Sequence, residues 1–193
     1  MEIRGSVVIS SEKPAARVYS FDLKFTGGKR TRFYRKLSGY SSKTIKEDKE
    51  GRKKVYQNTY PGILTPIPHV HLGRSVIAVP QKAAKKLDSF FEDPRWTPRE
   101  LHSFDAILPS NQRLKAMNST LDRIELTSSR TLREELNSLL ATLSGGKIDR
   151  EDLARIRKVL RAARRLMEMD WSENREFSKS FRERLAPLKK CLD

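Results

Sequence analysis

Residues 17–40 read Arg17-Val18-Tyr19-Ser20-Phe21-Asp22-Leu23-Lys24-Phe25, then Thr26-Gly27-Gly28, then Lys29-Arg30-Thr31-Arg32-Phe33-Tyr34-Arg35-Lys36-Leu37-Ser38-Gly39-Tyr40. The first part alternates, with Val18, Ser20, Asp22 and Lys24 opposite Tyr19, Phe21, Leu23 and Phe25, which is the pattern of a half-buried strand. Gly27-Gly28 ends it. The last part admits the return strand of a hairpin or a short helix. Phe33 and Leu37 lie four residues apart, about one helical turn, and Gly39 stands where a helix stops, so the spacing favours helix.

Working outward, Ser6–Ser10 is a short β-branched run, and Lys43–Tyr60 has the character of a charged hairpin turning near Glu50-Gly51. Pro61, Pro66 and Pro68 make the next stretch an extended connector. Val70–Val79 contains Val76-Ile77-Ala78-Val79, the apolar run of an interior strand, and Pro80 opens a helix over Gln81–Glu92 with Ala83, Ala84, Leu87, Phe90 and Phe91 at helical spacing. A last strand is expected over Glu100–Leu108. The order of strands and helices suits an α+β protein whose first part is a small α/β sandwich, and it resembles the ferredoxin-like type.

Beyond Pro109 the strand signals stop. Leu114, Met117, Leu121 and Ile124 mark one helix; Thr131 and Glu134 form a capping box ahead of a second, which Ser144-Gly145-Gly146 ends. Asp149 caps a third with the stripe Leu153, Ile156, Leu160, Ala163 and Met167, and the short glycine loop predicts that these last two form an antiparallel pair. A final amphipathic element is expected over Trp171–Leu188. The organisation predicted is a basic α/β domain over 1–109 and an α-helical module over 110–193.

Lysine and arginine number 40 against 24 acidic residues, a net charge of +16. A surplus of this size costs self-repulsion and is commonly matched by a polyanionic partner. Between Arg17 and Tyr60 there are thirteen basic and four acidic residues, a balance of +9, more than half the total. Residues 149–193 hold thirteen against nine, the mixture expected of solvated helix faces, so Arg155, Arg157, Arg161, Arg164 and Arg165 read as ordinary exposed side chains. No apolar run reaches the length of a membrane span, and Met1-Glu2-Ile3-Arg4-Gly5 lacks the apolar core of a signal peptide. The single cysteine, Cys191, excludes an intrachain disulfide and points to a reducing, cytoplasmic setting.

The string Lys29–Tyr40 interleaves arginine and lysine with aromatic rings. Guanidinium and ammonium groups meet phosphate, and tyrosine faces can carry unstacked bases. The candidate nucleic-acid-binding residues are Lys29, Arg30, Arg32, Tyr34, Arg35, Lys36 and Tyr40, extended along the hairpin by Lys53, Lys54 and Tyr56. The plain alternative is that Phe33, Tyr34 and Leu37 are core and the cations a solvated face. Gly27-Gly28-Lys29 reads as a turn rather than a phosphate loop.

His69-Val70-His71-Leu72 resembles the histidine-hydrophobic-histidine string of the HUH single-strand endonuclease and transposase families. Two positions apart in a strand, both imidazoles point one way and could bind one divalent metal, with His102 or a carboxylate completing the shell. The families' nucleophilic tyrosine follows their histidine pair on a helix, whereas Tyr19, Tyr34, Tyr40, Tyr56 and Tyr60 all precede it here. The expectation is therefore a non-catalytic nucleic-acid binder without a cofactor. RNA is preferred over DNA because no helix-turn-helix or zinc-finger pattern occurs and the aromatic interleaving suits unpaired bases. A ribonucleoprotein setting would accommodate both parts, with the C-terminal helices packing on the first domain or on a protein partner. The rivals are a metal-dependent single-strand nuclease or strand-transfer enzyme using the histidine pair, and a protein-interaction scaffold.

Overall fold

The structure is a computed structural model that describes residues 15–47, 51–96, 98–127, 130–146 and 148–192. Strand β1 (Ala16–Asp22) is followed by helix α1 (Gly27–Ser38), which opens on Gly27 and Gly28 where a turn was expected, buries Phe33 and Leu37 and stops at Gly39 with φ +81°. The helical reading of this stretch holds. Strands β2 (Gly39–Glu47) and β3 (Lys53–Pro61) form a two-stranded antiparallel ribbon that starts four residues before the predicted hairpin. The turn expected near Glu50-Gly51 involves residues 48–50, which, like the run Ser6–Ser10, lie outside the described residues.

The interior strand expected at Val76–Val79 is β5 (Val76–Pro80), and the residues before it form a further strand not foreseen, β4 (Val70–Gly73), folded back on it through Arg74-Ser75. A short 3-10 turn then enters α2 (Ala84–Phe91), and β6 (Glu100–Ala106) follows. These strands make one sheet in the order β4-β5-β1-β6, each adjacent pair antiparallel. With β1 inside the sheet, both of its faces are buried: Ala16 and Val18 on one, Tyr19 and Phe21 on the other. The prediction of a half-buried strand is thereby corrected, because small Ala16 and Val18 do not advertise a second apolar face.

Against the Tyr19 face pack α1 and α2, with Phe21, Phe33, Phe90 and Phe91 in mutual ring contact at centroid distances of 5.2–6.2 Å. Against the Ala16 face packs the C-terminal part: α3 (Ser110–Arg123), the small hairpin β7 (Glu125–Thr127) and β8 (Arg130–Thr131), α4 (Leu132–Ser144), α5 (Arg150–Glu168) and α6 (Glu176–Lys189). The capping boxes at Thr131 and Asp149 are both formed. Reciprocal bonds tie α3 to the segment after α5, since Arg113 Nη1 donates to the Trp171 carbonyl (2.9 Å) and Trp171 Nε1 to that of Arg113 (3.2 Å). Arg123 Nη2 donates to the Ile67 carbonyl, fastening α3 to the connector ahead of β4. Among the described residues, no helix is long and apolar enough to cross a membrane.

Candidate nucleic-acid interface

The helical period sorts α1 into two faces. Phe33 and Leu37 enter the core, while Lys29, Arg32, Arg35 and Lys36 are all exposed, spread from the edge of the buried stripe round to the far side of the helix. The ribbon leaves the end of this helix through a tight root. A Cβ on Gly62 would lie 2.2 Å from the Gly39 nitrogen, and one on Gly39 would lie 2.7 Å from the Gly62 nitrogen, so neither position admits a side chain. Amides of Ile63 and Leu64 donate to the carbonyls of Lys36 and Leu37 at 2.9 Å each. The base of the ribbon therefore lies beside the basic face of α1.

Between them lies a cleft of about 620 Å³, lined by Lys29, Arg32, Arg35 and Lys36 from the helix, Tyr40, Tyr60 and Pro61 from the ribbon, and Arg95 with Trp96 from the loop after α2. Tyr40 and Tyr60 are cross-strand partners with rings stacked at 4.7 Å and 13°. The Arg35 guanidinium lies 4.4 Å from the Tyr40 centroid. Since Tyr60 occupies one face of that ring, Arg35 takes the other. Such stacking holds the guanidinium plane while its edge donors stay available, the arrangement suited to a phosphate. Tyr60 remains 45% exposed.

Among the described residues, Lys29, Arg32, Arg35 and Lys36 form no salt bridge with a carboxylate. Arg95 differs. It stacks on Trp96 at 4.6 Å and holds Asp93 through both carboxylate oxygens, which lowers the pKa of Asp93 and raises its own. Trp96 is buried, its Nε1 donating to the Phe90 carbonyl, so it forms a fixed wall.

The structure brings five of the ten predicted residues into this cleft: Lys29, Arg32, Arg35, Lys36 and Tyr40. Arg30 and Tyr34 lie elsewhere on α1, Tyr34 half-buried edge-on to Phe33 and overlaid by Arg30 at 5.9 Å. Tyr40 is stacked on Tyr60 with Arg35 over its ring, and both Tyr34 and Tyr40 are half-buried. Lys53, Lys54 and Tyr56 lie farther out on β3, and all are exposed. Sequence reasoning missed Tyr60, Arg95 and Trp96. A signal existed for Tyr60, because a hairpin centred near residue 50 pairs it with Tyr40.

His69 and His71 do share a side, their rings 5.1 Å apart, beside Gln112 and Lys115 of α3. The Nδ1 of His69 is bonded to the Ile67 carbonyl at 2.8 Å. Burial, reinforced by the Arg123 charge, lowers its pKa to about 4. His102 is on β6, at the opposite edge of the sheet from β4, and so does not complete a metal shell with them. Among the described residues no three histidine, cysteine or carboxylate side chains are grouped to hold a metal ion.

What the fold and cleft define is a basic, aromatic-backed cleft on the α1 and α2 side of a four-stranded antiparallel sheet. No protein-family model, curated protein or solved structure matches the chain.

Proposed function

We infer that the protein binds single-stranded nucleic acid without catalysing a reaction, RNA in preference to DNA, through the cleft between α1 and the ribbon. The observation that carries this is the set of four exposed, uncompensated cations lining one cleft, of which Arg35 stacks on the Tyr40-Tyr60 pair. Phosphates would lie along Lys29, Arg32, Arg35 and Lys36, and a base would rest on the exposed part of the Tyr60 ring. Unpaired RNA is the better match because its bases are free to splay onto an aromatic face.

Setting the ribbon aside, the sheet strands and helices run strand-helix-strand-strand-helix-strand, the connectivity of a ferredoxin-like fold with an insertion after its first helix. An open sheet face is one surface on which such folds stack RNA. Here α3–α6 cover that face over β1 and β5, leaving Phe104 of β6 53% exposed. Residues 1–109 thus serve as the binding unit and 110–193 as its backing, in a cytoplasmic ribonucleoprotein setting where exposed helix faces can meet a protein partner.

The test is fluorescence anisotropy with labelled single-stranded RNA, single-stranded DNA and duplex across a salt series. Wild-type affinity should fall steeply with salt, and Arg32→Ala with Lys36→Ala should flatten the log–log slope by about 1.4, roughly 0.7 per lost phosphate contact. Weak binding to every nucleic acid even at low salt would refute the assignment.

A further inference from the structure

The ribbon is exposed along both strands, and its two faces differ chemically. The pairing register and the two-residue period of a strand put Tyr40, Tyr60, Tyr56, Lys46 and Lys54 on one face. A side-chain contact supports the assignment, with the Lys46 ammonium 5.8 Å from the Tyr56 centroid. The other face carries the aliphatic pair Ile45 and Val55, the carboxylate of Glu47, and Lys43 and Lys53. Its face is confirmed by Ser41 and Thr59, whose hydroxyls meet at 3.3 Å across the strands. All three ribbon tyrosines are on the first face, and Glu47, the acidic residue of the two described strands, is on the second.

Tyr40 and Tyr60 belong both to the cleft and to that tyrosine face, so the two surfaces are continuous. We propose that the tyrosine face of the ribbon extends the cleft into a track for a single strand, running from Arg35 and Tyr60 at the root past Tyr56 to Lys46 and Lys54. This rests on the single-strand binding argued above and adds its direction and length. Tyr60 and Tyr56 are four residues apart on β3, about 13 Å at strand spacing, so the track spans several nucleotides rather than one. Bases stack in turn on the two rings while the lysines hold the backbone beyond them. The opposite face, with Glu47 beside Lys53, is unsuited to a polyanion. A free two-stranded ribbon is at best marginally stable in water, so an ordering ligand along one face also meets a physical need.

The experiment uses the full chain and two charge-matched double variants, Lys46→Ala/Lys54→Ala on the tyrosine face and Lys43→Ala/Lys53→Ala on the other, with fluorescein-labelled oligouridylates of graded length. Long oligonucleotides should bind the first variant about tenfold more weakly than wild type, the second within about twofold, and the shortest should not distinguish them. Tyr56→Ala should weaken long strands about tenfold, and Tyr56→Phe should restore them, a rescue that a loss of net charge cannot mimic. Equal losses in both double variants would mean diffuse attraction, and no loss in either would mean that the strand ends in the cleft. Each result overturns the track while leaving cleft binding intact. Polyglutamate competing as well as oligouridylate would overturn it too, by showing a site for acidic peptide. If cleft variants alone lose binding, the track fails; if wild type binds no single strand, the proposed function itself fails.

Discussion

Arg35 and His69 show how a neighbour decides what a side chain can do. Stacking on Tyr40 fixes the plane of Arg35 without using its hydrogen-bond donors, so it can meet a phosphate with little further ordering. His69 is governed by burial and by Arg123, which disfavour its charged form and lower its pKa from 6.5 to about 4. The unfolded chain therefore binds a proton that the native chain refuses between those values, and stability is lost as pH falls from about 6.5 towards 4. The expected loss is about 3 kcal/mol, read from urea midpoints across that window. His69→Asn should flatten the profile there; an unchanged slope would mean that His69 is not the group responsible. The histidines were legible as a pair facing one way from their two-residue spacing, and the extended chain entering β4 at Val70 brings their rings together. Their isolation from His102 was not, because that depends on which strands lie between them.

At the scale of elements, the Gly39–Gly62 contact fixes where the ribbon departs from α1. No room exists for a Cβ at either position, so Gly62→Ala must displace backbone and should destabilise the protein by about 3 kcal/mol. Gly28, in the first turn of α1, meets nothing within 4 Å, and Gly28→Ala should be neutral or stabilising. Comparing the two by chemical denaturation separates a packing requirement from the general cost of replacing glycine. Most elements were readable locally: α1 from Phe33, Leu37 and Gly39, α4 and α5 from their caps, and the ribbon from its turn signal. The split of β4 from β5 was missed because a two-residue turn at Arg74-Ser75 carries weak composition cues, and Gly73 alone is common by chance.

For the molecule as a whole, the ribbon contributes nothing to either hydrophobic core, since none of the described residues of 39–61 belongs to them. Replacing residues 40–60 with a short glycine-serine linker should leave the thermal midpoint close to that of the full chain while weakening single-strand binding about tenfold or more. A large fall in the midpoint would show the ribbon to be a structural part of the body instead. By itself the sequence determined the elements and the excess of positive charge in its first third, because helix and strand periods, caps and charge are properties of short stretches. Only the tertiary structure decided that the C-terminal helices close one face of the sheet, and that Tyr60, Arg95 and Trp96 join the α1 cations. Those groups are separated by tens of residues, and they meet because burying two apolar faces of one sheet leaves the basic side of α1 and the root of the ribbon facing each other.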